Sequence, residues 1–336
     1  MCEALQYEKV SFGSVRCSLC RHRCMIAAAT SGICHVRENR SGTLMSKVFG
    51  KIIAEQCDPV EKKPLFHVLP GTATYSIATV GCNFSCRHCQ NHSIAQYDSG
   101  AGQPVPGRDT PPEEVVRRAL ESGCRSISYT YTEPTVFFEY MLDVARLSTQ
   151  AGLKNIMVTN GYITPEALDV LAPYLDAANI DLKGFSEKFY HRIAGAHLDQ
   201  VLECIRDFHQ RGIWTEITSL VIPGENDSQD QLDGIADFIA SELGVHVPWH
   251  ISRFFPQHLM IDRAATPEDA LSRAVDAGTR AGLHFMYVGN CAGSFENTDC
   301  PGCGTRLITR RGYRVVANNL DKGSCRQCGL TIAGVW

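Results

Sequence analysis

Cys82, Cys86 and Cys89 stand three and then two residues apart in the run Thr79-Val80-Gly81-Cys82-Asn83-Phe84-Ser85-Cys86-Arg87-His88-Cys89-Gln90-Asn91. A four-iron cluster is ordinarily held by four thiolates. A compact loop that supplies only three leaves one iron open, and an open iron is a place where a second molecule can bind and react. The same thiols could instead form a partial zinc site that borrows His88 or His92 as its fourth ligand.

The chain carries sixteen cysteines, and eleven of them fall in three groups. Cys300-Pro301-Gly302-Cys303 and Cys325-Arg326-Gln327-Cys328 are two CxxC pairs at a separation that closes a tetrahedral four-thiolate site, so structural zinc is expected there. Cys17, Cys20, Cys24 and Cys34 offer four more thiolates at less usual intervals, suited either to zinc or to a second four-iron cluster. Of the remaining five, Cys124 and Cys204 read as small buried apolar residues. Cys57 and Cys291 are candidates for a thiol on the rim of the core, where it could donate a hydrogen atom or hold substrate.

The elements that must position these groups follow from composition and pattern. At 336 residues, with 44% apolar and 20% charged side chains, the chain can bury a sizeable core with small appendages. No apolar run is long enough to span a membrane. The first residues show no basic start followed by an apolar stretch, so a cytoplasmic location is expected. In a reducing compartment, clustered cysteines point to metal thiolates rather than disulfides. The net charge of -4, with Lys and Arg scattered, excludes the footprint of a dedicated nucleic-acid binder.

Short β-type runs alternate with helix-type runs through the middle of the chain, as in a parallel sheet with crossover helices. The expected strands are Tyr75–Val80, Arg125–Thr130, Asn155–Thr159, Ala177–Leu182, Trp214–Ile222, Val247–Ile251 and His284–Val288. Helices are expected over Pro111–Ser122, Glu139–Gln150, Thr164–Ala172, Leu198–Gln210, Ser228–Glu242 and Thr266–Ala281. Thr164 and Thr266, each followed by Pro and Glu, read as N-caps. The Gly- and Pro-rich stretch 98–112 reads as a mobile loop. The domain division is then 1–40, an N-terminal cysteine module; 41–73, a linking segment with β character; 74–289, the α/β core; and 290–336, a zinc-ribbon-like module. The three-cysteine loop follows the first core strand, at the end where α/β barrels carry their active sites.

Cys-x-x-x-Cys-x-x-Cys in this place resembles the signature of the radical S-adenosylmethionine enzymes. The resemblance implies a partial (β/α)6-type radical SAM barrel, a [4Fe-4S] cluster on Cys82, Cys86 and Cys89, and S-adenosylmethionine on the open iron. One-electron reduction would cleave it to a 5'-deoxyadenosyl radical that abstracts hydrogen from a substrate. Thr132-Glu133-Pro134-Thr135 resembles the family's Gly-Gly-Glu-Pro segment, although Tyr131 and Thr132 replace its glycines. Asn160 closes the third strand. Asp181-Leu182-Lys183 resembles the Asp-Leu-Lys segment of glycyl-radical (pyruvate formate-lyase) activating enzymes, and His250 matches a cofactor-contacting histidine of that subgroup. Glu133, Asn160, Asp181, Lys183 and His250 are therefore the expected cofactor-binding residues. Each also has a structural use: a capping carboxylate at Glu133, a turn residue at Asn160, a solvated lysine at Lys183, a satisfied core imidazole at His250.

The run Cys57-Asp58-Pro59-Val60-Glu61-Lys62-Lys63-Pro64-Leu65-Phe66-His67-Val68-Leu69-Pro70-Gly71, with His35-Val36-Arg37-Glu38-Asn39 and the N-terminal cysteines, resembles the radical enzyme of the AmmeMemoRadiSam system. That resemblance implies AmmeMemo-type and Memo-type partner proteins, and the chemistry implies an electron donor such as flavodoxin or ferredoxin. Two other readings stay open. One is an activase that installs a glycyl radical on a partner, and the other is a zinc-based binding or scaffold protein.

Overall fold

The computed structural model describes residues 1–98, 100, 102–291 and 295–336. They form two compact units: Met1–Asp58 with Ala73–Asp176, and Pro59–Thr72 with Ala177–Trp336.

In the first unit, β1 (Ala54–Pro59, all but its last residue), β2 (Ala73–Ala78), β3 (Ser126–Tyr129) and β4 (Lys154–Thr159) are neighbours in chain order, and β3 runs parallel to both β2 and β4. All four residues of β3 are buried, as a parallel strand covered on both faces requires. Three helices belong to this unit: α1 (Pro112–Glu121), α2 (Phe138–Gln150) and α3 (Pro165–Leu171). Proline and Glu113–Glu114 in its first turn start α1, which buries Val115, Val116 and Ala119. Thr164 caps α3 as expected, its hydroxyl accepting from the Ala167 N–H.

Residues ahead of β1 build two small antiparallel sheets. One orders Cys2–Glu3, Thr43–Ser46 and Arg37–Arg40; the other orders Tyr7–Lys9, Val15–Cys17 and Met25–Ile26. Arg37 fastens the first of them to α2 through a buried bidentate pair with Glu139, at 2.9 and 3.0 Å. The expected loop over 98–112 is tied down at its far end, where Arg108–Asp109 pairs with Lys51–Ile52 and the Thr110 N–H donates to Gly50. Its residues 99 and 101 lie outside the described residues.

In the second unit, β5 (Ala177–Asp181), β6 (Trp214–Val221), β7 (Trp249–Arg253) and β8 (Met286–Gly289) are parallel neighbours in chain order. The helices are α4 (Leu198–Gln210), α5 (Gln229–Phe238) and α6 (Glu268–Arg280). Strand β7 starts two residues later than its apolar pattern predicts, because Pro248 has no N–H to give to a ladder. Thr266 does not cap α6. Its hydroxyl is taken by the Val221 carbonyl and the Phe254 N–H, which leaves Pro267 in the cap position without a side-chain cap.

The C-terminal residues of this unit form an antiparallel sheet of Thr298–Asp299, Arg306–Arg311 and Arg314–Asn318, and a hairpin of Leu320–Asp321 with Ser324–Cys325. Phe66, Phe285, Tyr287, Leu307, Ile308 and Ile332 share their core. Among the described residues no helix is long and apolar enough to cross a membrane.

Candidate active site

Strand β2 ends at Ala78 and hands the chain to the three-cysteine loop. Gly81 holds the loop's entry at φ 106°, and a Cβ there would come within 2.7 Å of Val36 and 3.2 Å of the Cys34 carbonyl, so only glycine fits. Cys82 Sγ receives the Phe84 N–H at 3.4 Å and lies 3.8 Å from Asn160 Nδ2. Burial, with the Glu133 carboxylate as second cause, pushes its thiol well above the ordinary range. Such a thiol becomes a thiolate only against added positive charge, which a metal supplies.

Asn160 follows β4, and its Nδ2 donates to Asn83 Oδ1 at 2.8 Å. Asn160 Oδ1 and Asn83 Nδ2 are buried without a partner, two polar atoms available to a guest beside the loop. Glu133 caps the turn Pro134–Phe137 after β3 and accepts from Thr135, from Thr159 and from the Asn160 N–H. Burial nevertheless raises its pKa. Cys82, Glu133 and Asn160 are thus brought together at the carboxyl ends of β2, β3 and β4, with Glu133 tying two strand ends and Asn160 bridging to the loop. Asn83 was not singled out from sequence; its signal was its place directly after the first cysteine.

In the second unit, register aligns Asp181, Thr218, His250 and Tyr287 in one row across β5 to β8. Lys183 Nζ bonds Asp181 Oδ2 at 2.6 Å, and His250 Nε2 bonds Glu216 Oε2 at the same distance. Glu216 is the hub that sequence reading missed. It is fully buried and also accepts from the N–H groups of Phe66 and His67 and from Trp214 Nε1. These donors, led by His250, hold its carboxyl below the usual range against the opposing effect of burial. A glutamate at an alternate position inside an otherwise uncharged strand was the available signal, since a charge is buried only with partners. Thr218 Oγ1, in the same row, is buried without a partner.

His67 extends this network. Its Nδ1 lies 2.8 Å from the Ala333 carbonyl, an acceptor only, so Nδ1 carries the hydrogen and Nε2 of the neutral ring accepts from the Tyr287 hydroxyl. Tyr287 then accepts from Thr298 Oγ1, which accepts from Arg310 Nη1. Burial pushes His67 down to about 4. An imidazole held neutral contributes stability that is complete above its unfolded pKa near 6.5 and is lost as pH falls through about 4, because the unfolded chain binds the proton first. Denaturant titrations should therefore show about 3 kcal/mol of acid destabilisation between those limits that a His67→Gln variant lacks.

The four C-terminal thiols, Cys300, Cys303, Cys325 and Cys328, lie with their sulfurs within 4.8 Å of one another. Cys300–Cys328 and Cys303–Cys325 approach to 3.6 and 3.7 Å, against about 3.8 Å between ligands of a tetrahedral ion with 2.3 Å metal–sulfur bonds. Thr305 beside Cys303 pulls that thiol down to about 6. The N-terminal cysteines Cys17, Cys20, Cys24 and Cys34 line one pocket. Cys57 is not a rim thiol. Its sulfur sits 3.3 Å from that of Cys124, which precedes β3, so the pair lies by the amino end of that strand and not where the loop leaves β2. Cys291 follows β8 at its carboxyl end.

Residues 76–239 match the Radical SAM superfamily. The chain is 42% identical over 335 residues to uncharacterized protein MJ0808 of Methanocaldococcus jannaschii, covering 99% of both chains. It is 31% identical over 170 residues to a probable GTP 3',8-cyclase of Sulfurisphaera tokodaii, a match that takes in 49% of this chain and 50% of that protein. The fold is similar to that of SuiB from Streptococcus suis, with a TM-score of 0.51 and 15% identity over 69% of this chain and 52% of the other. The radical SAM family implies a [4Fe-4S] cluster and S-adenosylmethionine, and the buried thiol and unpartnered amides beside the loop suit a metal-bearing, polar guest. The chain belongs to one family with the M. jannaschii protein, and over residues 76–239 it carries a domain of the Radical SAM superfamily, whose members are enzymes.

Proposed function

We propose that Cys82, Cys86 and Cys89 hold a [4Fe-4S] cluster and that the enzyme abstracts hydrogen from its substrate by way of S-adenosylmethionine. When bound and reduced, the pair supplies a 5'-deoxyadenosyl radical. The observation that carries this reading is the loop itself: three cysteines directly after β2, with Asn160 and Asn83 amide atoms left for a guest. Glu133, Asn160, Asp181, Lys183 and His250 are the proposed cofactor-binding residues. Glu133 sets the Asn160 backbone, Asn160 steadies the loop through Asn83, and Glu216 fixes which nitrogen His250 presents. The core, residues 74–289, is proposed to be a partial barrel between the cysteine modules 1–40 and 290–336, with 41–73 as a link.

AmmeMemo-type and Memo-type proteins are the proposed partners, flavodoxin or ferredoxin the proposed electron donor, and the cytoplasm the proposed location. Anaerobic reconstitution followed by dithionite and S-adenosylmethionine tests the reading. 5'-Deoxyadenosine should form, and its absence with a verified four-iron cluster would overturn it. Deuterium carried from a candidate substrate into 5'-deoxyadenosine identifies the molecule acted on.

Zinc is proposed at Cys300, Cys303, Cys325 and Cys328. Elemental analysis should find about one zinc per chain from this site, lost in a Cys300→Ser/Cys325→Ser variant together with part of the thermal stability. A variant that retains all its zinc would assign the metal elsewhere.

A further inference from the structure

We propose that Cys17, Cys20, Cys24 and Cys34 hold a second iron–sulfur cluster of the four-iron type, not a zinc ion. The inference goes beyond the proposed function and stands whether or not the Cys82 loop holds a cluster. Four thiols suit either metal by count, so the geometry around them decides.

The first argument is size. A single tetrahedral ion draws its four sulfurs to about 3.8 Å apart, whereas a four-iron cube takes each thiolate on a separate iron and spreads them wider. Among the described residues, only the C-terminal quartet gathers its ligand atoms within 4.8 Å. The N-terminal four instead stand around a pocket, with Arg37 as its charged member and aliphatic side chains and Gly32 as the rest of its wall.

The second argument is Arg37. Arg37 is 1% exposed, and its two terminal nitrogens are both taken by Glu139. Its Nε is buried with no partner. A fixed cation with a spare N–H among the residues around these thiols matches sulfur that carries negative charge. Sulfides and thiolates of a cluster provide several such acceptors.

The position of the pocket adds a consequence. His22, between Cys20 and Cys24, places Nε2 2.8 Å from the carbonyl of Asn83, the residue after Cys82. The Cys34 carbonyl presses on Gly81, the residue before it. The two cysteine sites therefore adjoin within one unit, where a redox-active group would be an immediate neighbour of the reacting one.

The test uses the full chain with Cys82, Cys86 and Cys89 all replaced by alanine, reconstituted anaerobically with ferrous iron and sulfide in the presence of zinc, then desalted. About four irons and four sulfides should remain per chain, with a four-iron Mössbauer spectrum, beside about one zinc. No iron and about two zincs would overturn the proposal. A Cys20→Ser/Cys34→Ser variant with the Cys82 loop intact gives the complementary measurement. Loss of about four irons relative to the parent protein supports a second cluster, and an unchanged iron content overturns it. Neither readout depends on turnover, so failure here is separate from failure of the proposed reaction.

Discussion

Replacing Cys86 with alanine should cut 5'-deoxyadenosine formation from S-adenosylmethionine by more than about a hundredfold, since groups one shell further from a metal already cost 10–100-fold. Cys82→Ala and Cys89→Ala should do the same, because no other thiol follows β2 in the loop. The graded comparison is Asn160→Ala. That change removes the bridge to Asn83 but no ligand, so a loss of about 10–100-fold is expected with iron content retained. Iron per chain separates the two cases: it should fall in the cysteine variants and hold in the asparagine variant. Full turnover by the Cys86→Ala enzyme would remove the loop from the reaction altogether.

Glu216→Ala should destabilise the second unit by about 3–5 kcal/mol, the usual cost of breaking a buried pair by deleting one partner. The carboxylate receives two backbone N–H groups, an indole N–H and an imidazole, so its loss orphans all of them at once. Glu216→Gln keeps an acceptor oxygen and should cost less. Denaturant unfolding followed through the tryptophans measures both, and a loss under about 1 kcal/mol in the alanine variant would mean that water replaces the carboxylate. The His67 titration belongs to the same network and points the same way, since acidification protonates groups that burial holds neutral or a partner holds charged.

Much of this was legible because it is local. The seven core strands announce themselves by β-branched, apolar runs, and each cysteine group by intervals of a few residues. Thr164 could be read as a cap because its partner is three residues away. Thr266, with the same Thr-Pro-Glu signature, could not: its hydroxyl answers to Val221 and Phe254, and a local pattern carries no information about them. The same limit hid the purpose of the run from Cys57 to Gly71. Phe66 and His67 meet Glu216 across about 150 positions, and Arg310 reaches the Phe66 carbonyl from 244 positions away. Lys183 shows the intermediate case. The sequence marked both Lys183 and Asp181, and the strand end brings them together as a pair that sequence reading did not state.

The segment 59–72 also sets an order of events in folding. Val68 bridges Val335, and the Leu69 and Val335 N–H groups close the contact from both sides. At about 5–20 residues per second, roughly 13 to 50 seconds of synthesis separate His67 from the Ala333 carbonyl it requires. During that interval Phe66 and His67 have no C-terminal sheet to enter, and Glu216, once made, receives their N–H groups without the cover that later keeps water out. Docking of the last forty residues is then a late step during synthesis. A nascent chain stalled before it would offer chaperones the same residues that the mature enzyme uses as its clasp.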